Sequence, residues 1–279
     1  MRLFLIVISL FLVGLGSARA QGEPQRAIEH VAGNLYRFQN NFHYGVFLVG
    51  EVGVLLVDPL SEGAATWVKG EIKTRFGKDV IMVAYSHHHA DHTSGGQVFA
   101  DSAEFLAQTR AAPEIEKSGH TTAPTITFDQ RYELPFAGQV VEFIYPGPTH
   151  TDNLIVVRFP AEKAIFVVDM ATVKRLPYRN FPSYHFPAVI DSLKAVEALG
   201  FDIFIGGHGP MGTKADLADH RRYIEEIYAA VGRAVNDGLS LEETQARVAM
   251  EAYKDWGQYE AWLPLNIEGL YNRVSPKGE

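Results

Sequence analysis

Ser86-His87-His88-His89-Ala90-Asp91-His92 is the stretch that decides the fold of this 279-residue chain. Four histidines and one aspartate fall within six positions, straight after the apolar run Val80-Ile81-Met82-Val83-Ala84-Tyr85. The run reads as a buried strand, and the polar residues after it as the turn at its end. Imidazole and carboxylate together suit zinc and its divalent neighbours. A loosely binding His-rich surface tract is the competing reading. Three downstream positions argue against it, because each ends its own apolar strand: His150 after Phe143-Ile144-Tyr145-Pro146-Gly147-Pro148-Thr149, Asp169 after Ala164 to Val168, and His208 after Phe204-Ile205-Gly206-Gly207. Donors at several strand ends can converge on one sheet edge, where loops leave room for a substrate.

Working outward, 47% of the residues are hydrophobic, enough for one large core, and residues 21–279 read as a single domain. Arg2, the apolar Leu3 to Leu15 and the small-x-small Ala18-Arg19-Ala20 have the form of a signal peptide cleaved after Ala20. The expected location is therefore periplasmic or secreted, with no membrane partner after cleavage. The chain has no cysteine, so no thiolate serves as ligand or nucleophile. Its net charge is −8, and loss of Arg2 and Arg19 would make it more acidic still. Such a surface repels phosphate backbones, which leaves a small-molecule substrate rather than nucleic acid as the expected partner.

Alternating or apolar runs predict strands at His30–Phe38, His43–Val49, Glu51–Val57, Arg131–Pro135, Gln139–Tyr145, Asn153–Phe159, Lys163–Val168 and Asp202–Ile205. Helical spacing covers Ser61–Phe76, closed by Gly77, and Phe186–Leu199, Lys214–Asp237, Ser240–Ala252 and Leu265–Val274. Thr93-Ser94-Gly95-Gly96 is expected to begin a short helix whose N–H groups face the donor cluster. Ala171 to Pro187 reads as a long loop, a length that usually marks function. Strands followed by helices, twice over, predict an α/β fold with sheet inside and helices outside.

The element His87-His88-His89-Ala90-Asp91-His92, followed by a single His, an Asp at a strand end and a Gly-His-Gly, resembles the metallo-β-lactamase fold superfamily. That resemblance covers nearly all of the chain after residue 20. It implies a four-layer αββα sandwich with two divalent metal ions at one edge, zinc first and iron or manganese as alternatives. One ion would be held by His87, His89 and His150, the other by Asp91, His92 and His208, with Asp169 bridging. His88 matches no ligand position, and alternation along extended chain points it away from His87 and His89. Asp58 resembles the superfamily's aspartate beneath the site; a plain turn residue before Pro59 is the other reading.

Two cations about 3.5–4 Å apart can lower the pKa of a shared water toward 7, so hydrolysis needs no Ser or Cys. Asp91 is the expected proton carrier. Without a cysteine ligand, and with aspartate at position 169, the pattern is closer to the ester, lactone and thioester hydrolases of the superfamily than to its β-lactamases. Lactam hydrolysis, phosphoric or sulfuric ester hydrolysis, a mononuclear iron dioxygenase and a non-catalytic exported metal-binding protein remain alternatives. Substrate contacts are expected from Phe42, His43 and Tyr44 at an early strand start, and from Lys174, Arg175 and Arg179 in the long loop. Trp256, Tyr259 and Trp262 are expected to pack helices rather than form a ligand platform.

Overall fold

The computed structural model describes residues 23–275. The expected signal peptide at residues 1–20 lies outside them. Thirteen strands form two sheets. The first is β1 (Arg26–Ala32), β2 (Leu35–Asn40), β3 (His43–Val49), β4 (Val54–Val57), β5 (Val80–Ala84), β6 (Glu104–Gln108) and β7 (Ile126–Phe128), in that spatial order. The second runs β13 (Gly212–Thr213), β12 (Ile203–Gly206), β11 (Ala164–Val167), β10 (Val156–Phe159), β9 (Gln139–Ile144) and β8 (Arg131–Phe136). The helices are α1 (Glu62–Phe76), α2 (Ala90–Thr93), α3 (Ala111–Ser118), α4 (Ala188–Glu197), α5 (Lys214–Asn236), α6 (Leu241–Arg247) and α7 (Tyr259–Val274).

Side-chain alternation sorts the strands into layers. Along β4, Leu55 and Val57 meet Phe143, Phe159 and Phe166 of the other sheet, while Val54 and Leu56 turn outward to Ala65, Val68 and Ile72 of α1. Along β11, Ala164 and Phe166 face the first sheet, and Ile165 and Val167 meet Leu193 of α4, Ile224 of α5 and Ile267 of α7. The order helix, sheet, sheet, helix is the four-layer αββα sandwich. Ser61 caps α1 by accepting the amide of Ala64, and Gly77, left-handed at φ 66°, ends it.

Topology places the reactive edge. Strands β4, β5 and β6 are parallel, as are β11 and β12, so their C-terminal ends leave the sheets on shared sides. The two sheets are stitched together there: the amide of Ile155 donates to the carbonyl of Ser86 at 2.8 Å, and that of Tyr44 to Gly207 at 2.9 Å. Gly207 passes so close to the site that a Cβ would lie 2.7 Å from Val168 Cγ1 and 3.2 Å from His92 Cε1.

Several local expectations are corrected. His30–Phe38 is not one strand, because Gly33, left-handed at φ 53°, turns the chain between β1 and β2. The segment after His89 is already helical at Ala90, so Thr93 ends one short helical turn, and Gly96 begins the next, a 3-10 turn over Gly96–Phe99. The amides of Ser94 and Gly95 are taken by the carbonyls of Ala90 and Leu60 and do not face the donors. Helix α6 stops at Arg247, because Val248 is extended. Helix α7 starts six positions before the expected Leu265 and carries Pro264 inside it. Among the described residues, no helix is long and apolar enough to cross a membrane.

Candidate metal centre

The donors reach one place from four strand ends. β5 leads into the bend Ser86–His88; His89 is extended (φ −65°, ψ 142°), and the α2 turn then follows. That change of conformation separates the opening cluster into two groups. His87 and His89 join His150 and Asp169, whereas Asp91 and His92 join His208 and Asp169. In each group the four donor atoms lie within 4.8 Å of one another. His150 comes from the loop between β9 and β10, Asp169 from beyond β11 and His208 from beyond β12.

Asp169 Oδ2 is 3.4 Å from His87 Nε2, 3.6 Å from His150 Nε2 and 3.6 Å from His92 Nε2, while its Oδ1 is 2.9 Å from His208 Nε2. His150 Nε2 and His89 Nδ1 are 3.0 Å apart, and His92 Nε2 and His208 Nε2 are 3.3 Å apart. Four donors placed tetrahedrally about 2.0–2.1 Å from a zinc ion are about 3.3 Å from each other, so the spacing suits a divalent cation in each group.

The outer contacts fix the tautomers, and they provide the test of fit. Asp58, fully buried, accepts the Ser86 amide at 2.7 Å on Oδ1 and the Ser86 hydroxyl at 2.7 Å on Oδ2. Having given its proton to Asp58, the Ser86 hydroxyl accepts from His87 Nδ1 at 3.0 Å. Asp58 Oδ2 is also 3.0 Å from His92 Nδ1, and the Phe42 carbonyl is 3.0 Å from His208 Nδ1. Each of these rings therefore holds a proton on Nδ1 and turns its Nε2 inward, where a cation can take it. His87 Nε2 is buried with no hydrogen-bond partner, which a cation would resolve. His88 turns away, its Nδ1 3.1 Å from Asn153 Oδ1. The donor set fits divalent metal.

Electrostatics support that reading. Burial pushes His87 well below its usual value and brings His89 down to about 4, so both rings are neutral ligands at pH 7. Burial alone would raise Asp169, but His208 and His92 outweigh it and hold the carboxylate ionised. Burial would also raise Asp91; the His43 hydrogen bond and His92 bring it down to about 2. Burial lowers His92, but Asp169, Asp58 and Asp91 overcome it and raise the ring to about 9. A cation arriving at His92 displaces that proton.

A cavity of about 640 Å³ opens over the donors, lined also by Phe42, His43, Arg175, Tyr184, His220 and Trp262. His43 Nε2 is 3.5 Å from Asp91 Oδ2. Among the expected substrate contacts, Phe42, His43 and Arg175 line this cavity, while Tyr44, Lys174 and Arg179 do not. The Tyr44 ring instead lies under the Arg37 guanidinium, 4.3 Å away, and the Arg179 guanidinium lies over Tyr178 at 5.1 Å. Trp262 corrects the expectation that it only packs helices, since it forms part of the wall. His220, on α5, has no motif around it and was not anticipated from sequence. Tyr184 donates its hydroxyl to the Asp169 carbonyl at 2.6 Å and packs against His150 at 5.5 Å.

Residues 41–208 match the family model of the metallo-beta-lactamase superfamily. The chain belongs to that superfamily. Its members include metal-dependent hydrolases. One relative is the alpha subunit of 2,4-dinitroanisole O-demethylase from Nocardioides sp. (strain JS1661), 30% identical over 193 residues, 67% of this chain and 58% of that subunit's length. Another is the type 2 metallo-beta-lactamase of Elizabethkingia meningoseptica, 30% identical over 169 residues, 57% of this chain and 68% of that enzyme. A solved metallo-beta-lactamase from Pontibacter korlensis shares the fold with a TM-score of 0.64 at 18% identity, covering 72% of this chain and 99% of its own.

Proposed function

We propose that this protein is an exported two-metal hydrolase, with zinc the favoured ion and no thiolate among its ligands, that cleaves an ester, lactone or thioester. The observation that carries the reading is the position of Asp169, whose single carboxylate is shared by both donor groups. Two divalent ions, when bound, would supply Lewis acidity for the electrophile and an acidified water. His87, His89, His150 and Asp169 would hold one, and Asp91, His92, His208 and Asp169 the other.

The chain's own side chains account for the rest. Asp91, ionised and half-exposed at the cavity floor, accepts a proton from the attacking water and can return it to the leaving group. His43 holds the Asp91 carboxylate from the cavity side. Asp58 locks Ser86 and His92, and Tyr184 ties down the backbone of Asp169, so the donors are set before substrate arrives. Residues 1–20 support the export part of the reading.

β-Lactam hydrolysis is the second reading, favoured by the 30% identity to the Elizabethkingia enzyme. The O-demethylase relative, by its name, releases a group from an aryl ether oxygen, which agrees with a carbon–oxygen bond as the target. Metal analysis run beside a panel of nitrocefin, lactone, thioester, aryl ester and phosphodiester substrates separates these readings. The expected result is bound divalent metal with turnover of oxygen or sulfur esters. Turnover of nitrocefin alone would favour the second reading, and bound metal without any turnover would remove both.

A further inference from the structure

The cavity has a far wall that the donor chemistry leaves unused, and part of it comes from beyond residue 208, where the family match ends. Trp262 on α7 and His220 on α5 line it together with Arg175 and Tyr178 of the long loop. The Arg175 guanidinium lies 4.6 Å from the Trp262 ring centre, and Tyr178 meets the same indole edge-on at 5.2 Å. Burial lowers Arg175 from its usual value, and among the described residues no carboxylate pairs with it. The loop is pinned to the segment before α7 by the amide of Leu176, which donates to the Gly257 carbonyl, and that of Gly257, which donates to the carbonyl of Lys174.

His220 supplies a second donor. It is 1% exposed, and its Nδ1 accepts the backbone amide of Thr172 at 3.3 Å. Burial brings its pKa down to about 4, so the ring is neutral and carries its one proton on Nε2. That Nε2 is buried and has no hydrogen-bond partner among the described residues. A cation and an N–H donor without partners, both on residues that line one cavity, call for an anionic acceptor. Four aromatic side chains, Phe42, Tyr178, Tyr184 and Trp262, line the same cavity, and Phe42 and Tyr178 are 73% and 51% exposed. Large apolar side chains left open at a cavity suit an aromatic ligand.

We propose that this wall recognises the unreactive end of the substrate as an aromatic ring bearing a carboxylate, the ring on the lining around Trp262 and the carboxylate on Arg175 and His220. The inference rests on the hydrolase reading for which end of the molecule reacts. Calorimetric titration of the metal-loaded protein with 4-hydroxybenzoate and with its neutral counterpart 4-hydroxybenzamide tests it. The acid should bind about tenfold more tightly or better. Arg175→Gln should abolish that preference, and Arg175→Lys, which keeps the charge but loses the planar fork, should retain part of it. Equal binding of the two probes overturns the proposal. So does a preference that survives in Arg175→Gln, because the carboxylate would then sit on the metal ions. If the Gln variant does not fold, an undiminished preference in Arg175→Lys has the same meaning. Turnover of phenyl acetate without any preference for 4-acetoxybenzoate keeps the hydrolase reading and removes this one; the binding preference without turnover does the reverse.

Discussion

The two halves of the donor cluster share Asp169 and little else. The His87, His89 and His150 half consists of imidazoles, with His87 fully buried and all three rings held neutral by burial. The Asp91, His92 and His208 half adds a second carboxylate, half-exposed, and a histidine that its carboxylate neighbours keep protonated. The first half presents bare nitrogens to a cation. The second must give up a proton to accept one, and it keeps an ionised carboxylate at the cavity floor. The difference assigns the first half to holding metal and the second to holding metal and moving protons.

The largest effect is expected where the halves join. Asp169→Ala removes a ligand from both, so metal affinity and turnover should fall by well over the roughly 10–100-fold typical of losing an outer partner. Retention of both ions by that variant, read by elemental analysis, would mean that the halves do not share a carboxylate. Asp91→Asn acts on one half: turnover should collapse while the His87, His89 and His150 half keeps its ion. Near-normal rates would remove Asp91 as the proton carrier. Asp58→Asn is expected to be milder, about 10–100-fold in metal affinity, because it loosens His92 directly and His87 through Ser86.

The pH response of metal-stripped protein sharpens the contrast. His89, at about 4, lies below its unfolded value of 6.5, so stability is lost as pH falls from 6.5 toward 4. His92, at about 9, lies above 6.5, so its contribution is present below 6.5 and is lost as pH rises toward 9. The melting temperature of stripped protein should therefore pass through a maximum near neutral pH, and imidazole NMR signals should show the two rings titrating far apart. Two rings titrating together would erase the proposed asymmetry.

Much of this was legible in the sequence because each donor ends an apolar strand, a pattern that survives without knowledge of tertiary contacts. Histidines 87, 89, 92, 150 and 208 and aspartates 91 and 169 converge for that reason. The division into halves came with the family resemblance and not from the residue pattern alone: it depends on the chain turning helical at Ala90, which a run of polar residues does not announce. Trp262 and His220 were hidden for a different reason. On helices, their spacing looks like ordinary core packing. What brings Trp262 to the cavity is the pairing of Arg175 with Gly257, a contact between distant parts of the chain. Pro264 also obscured the start of α7, so the indole was placed outside its helix.

Anomalous diffraction from crystals of metal-reconstituted protein, collected at the absorption edge of the bound ion, tests the central claim most directly. Two peaks are predicted, one about 2.0–2.2 Å from donors of His87, His89 and His150 and the other equally close to Asp91, His92 and His208, with Asp169 reaching both. Reconstituted protein with no ion at His87, His89 and His150 would contradict the account.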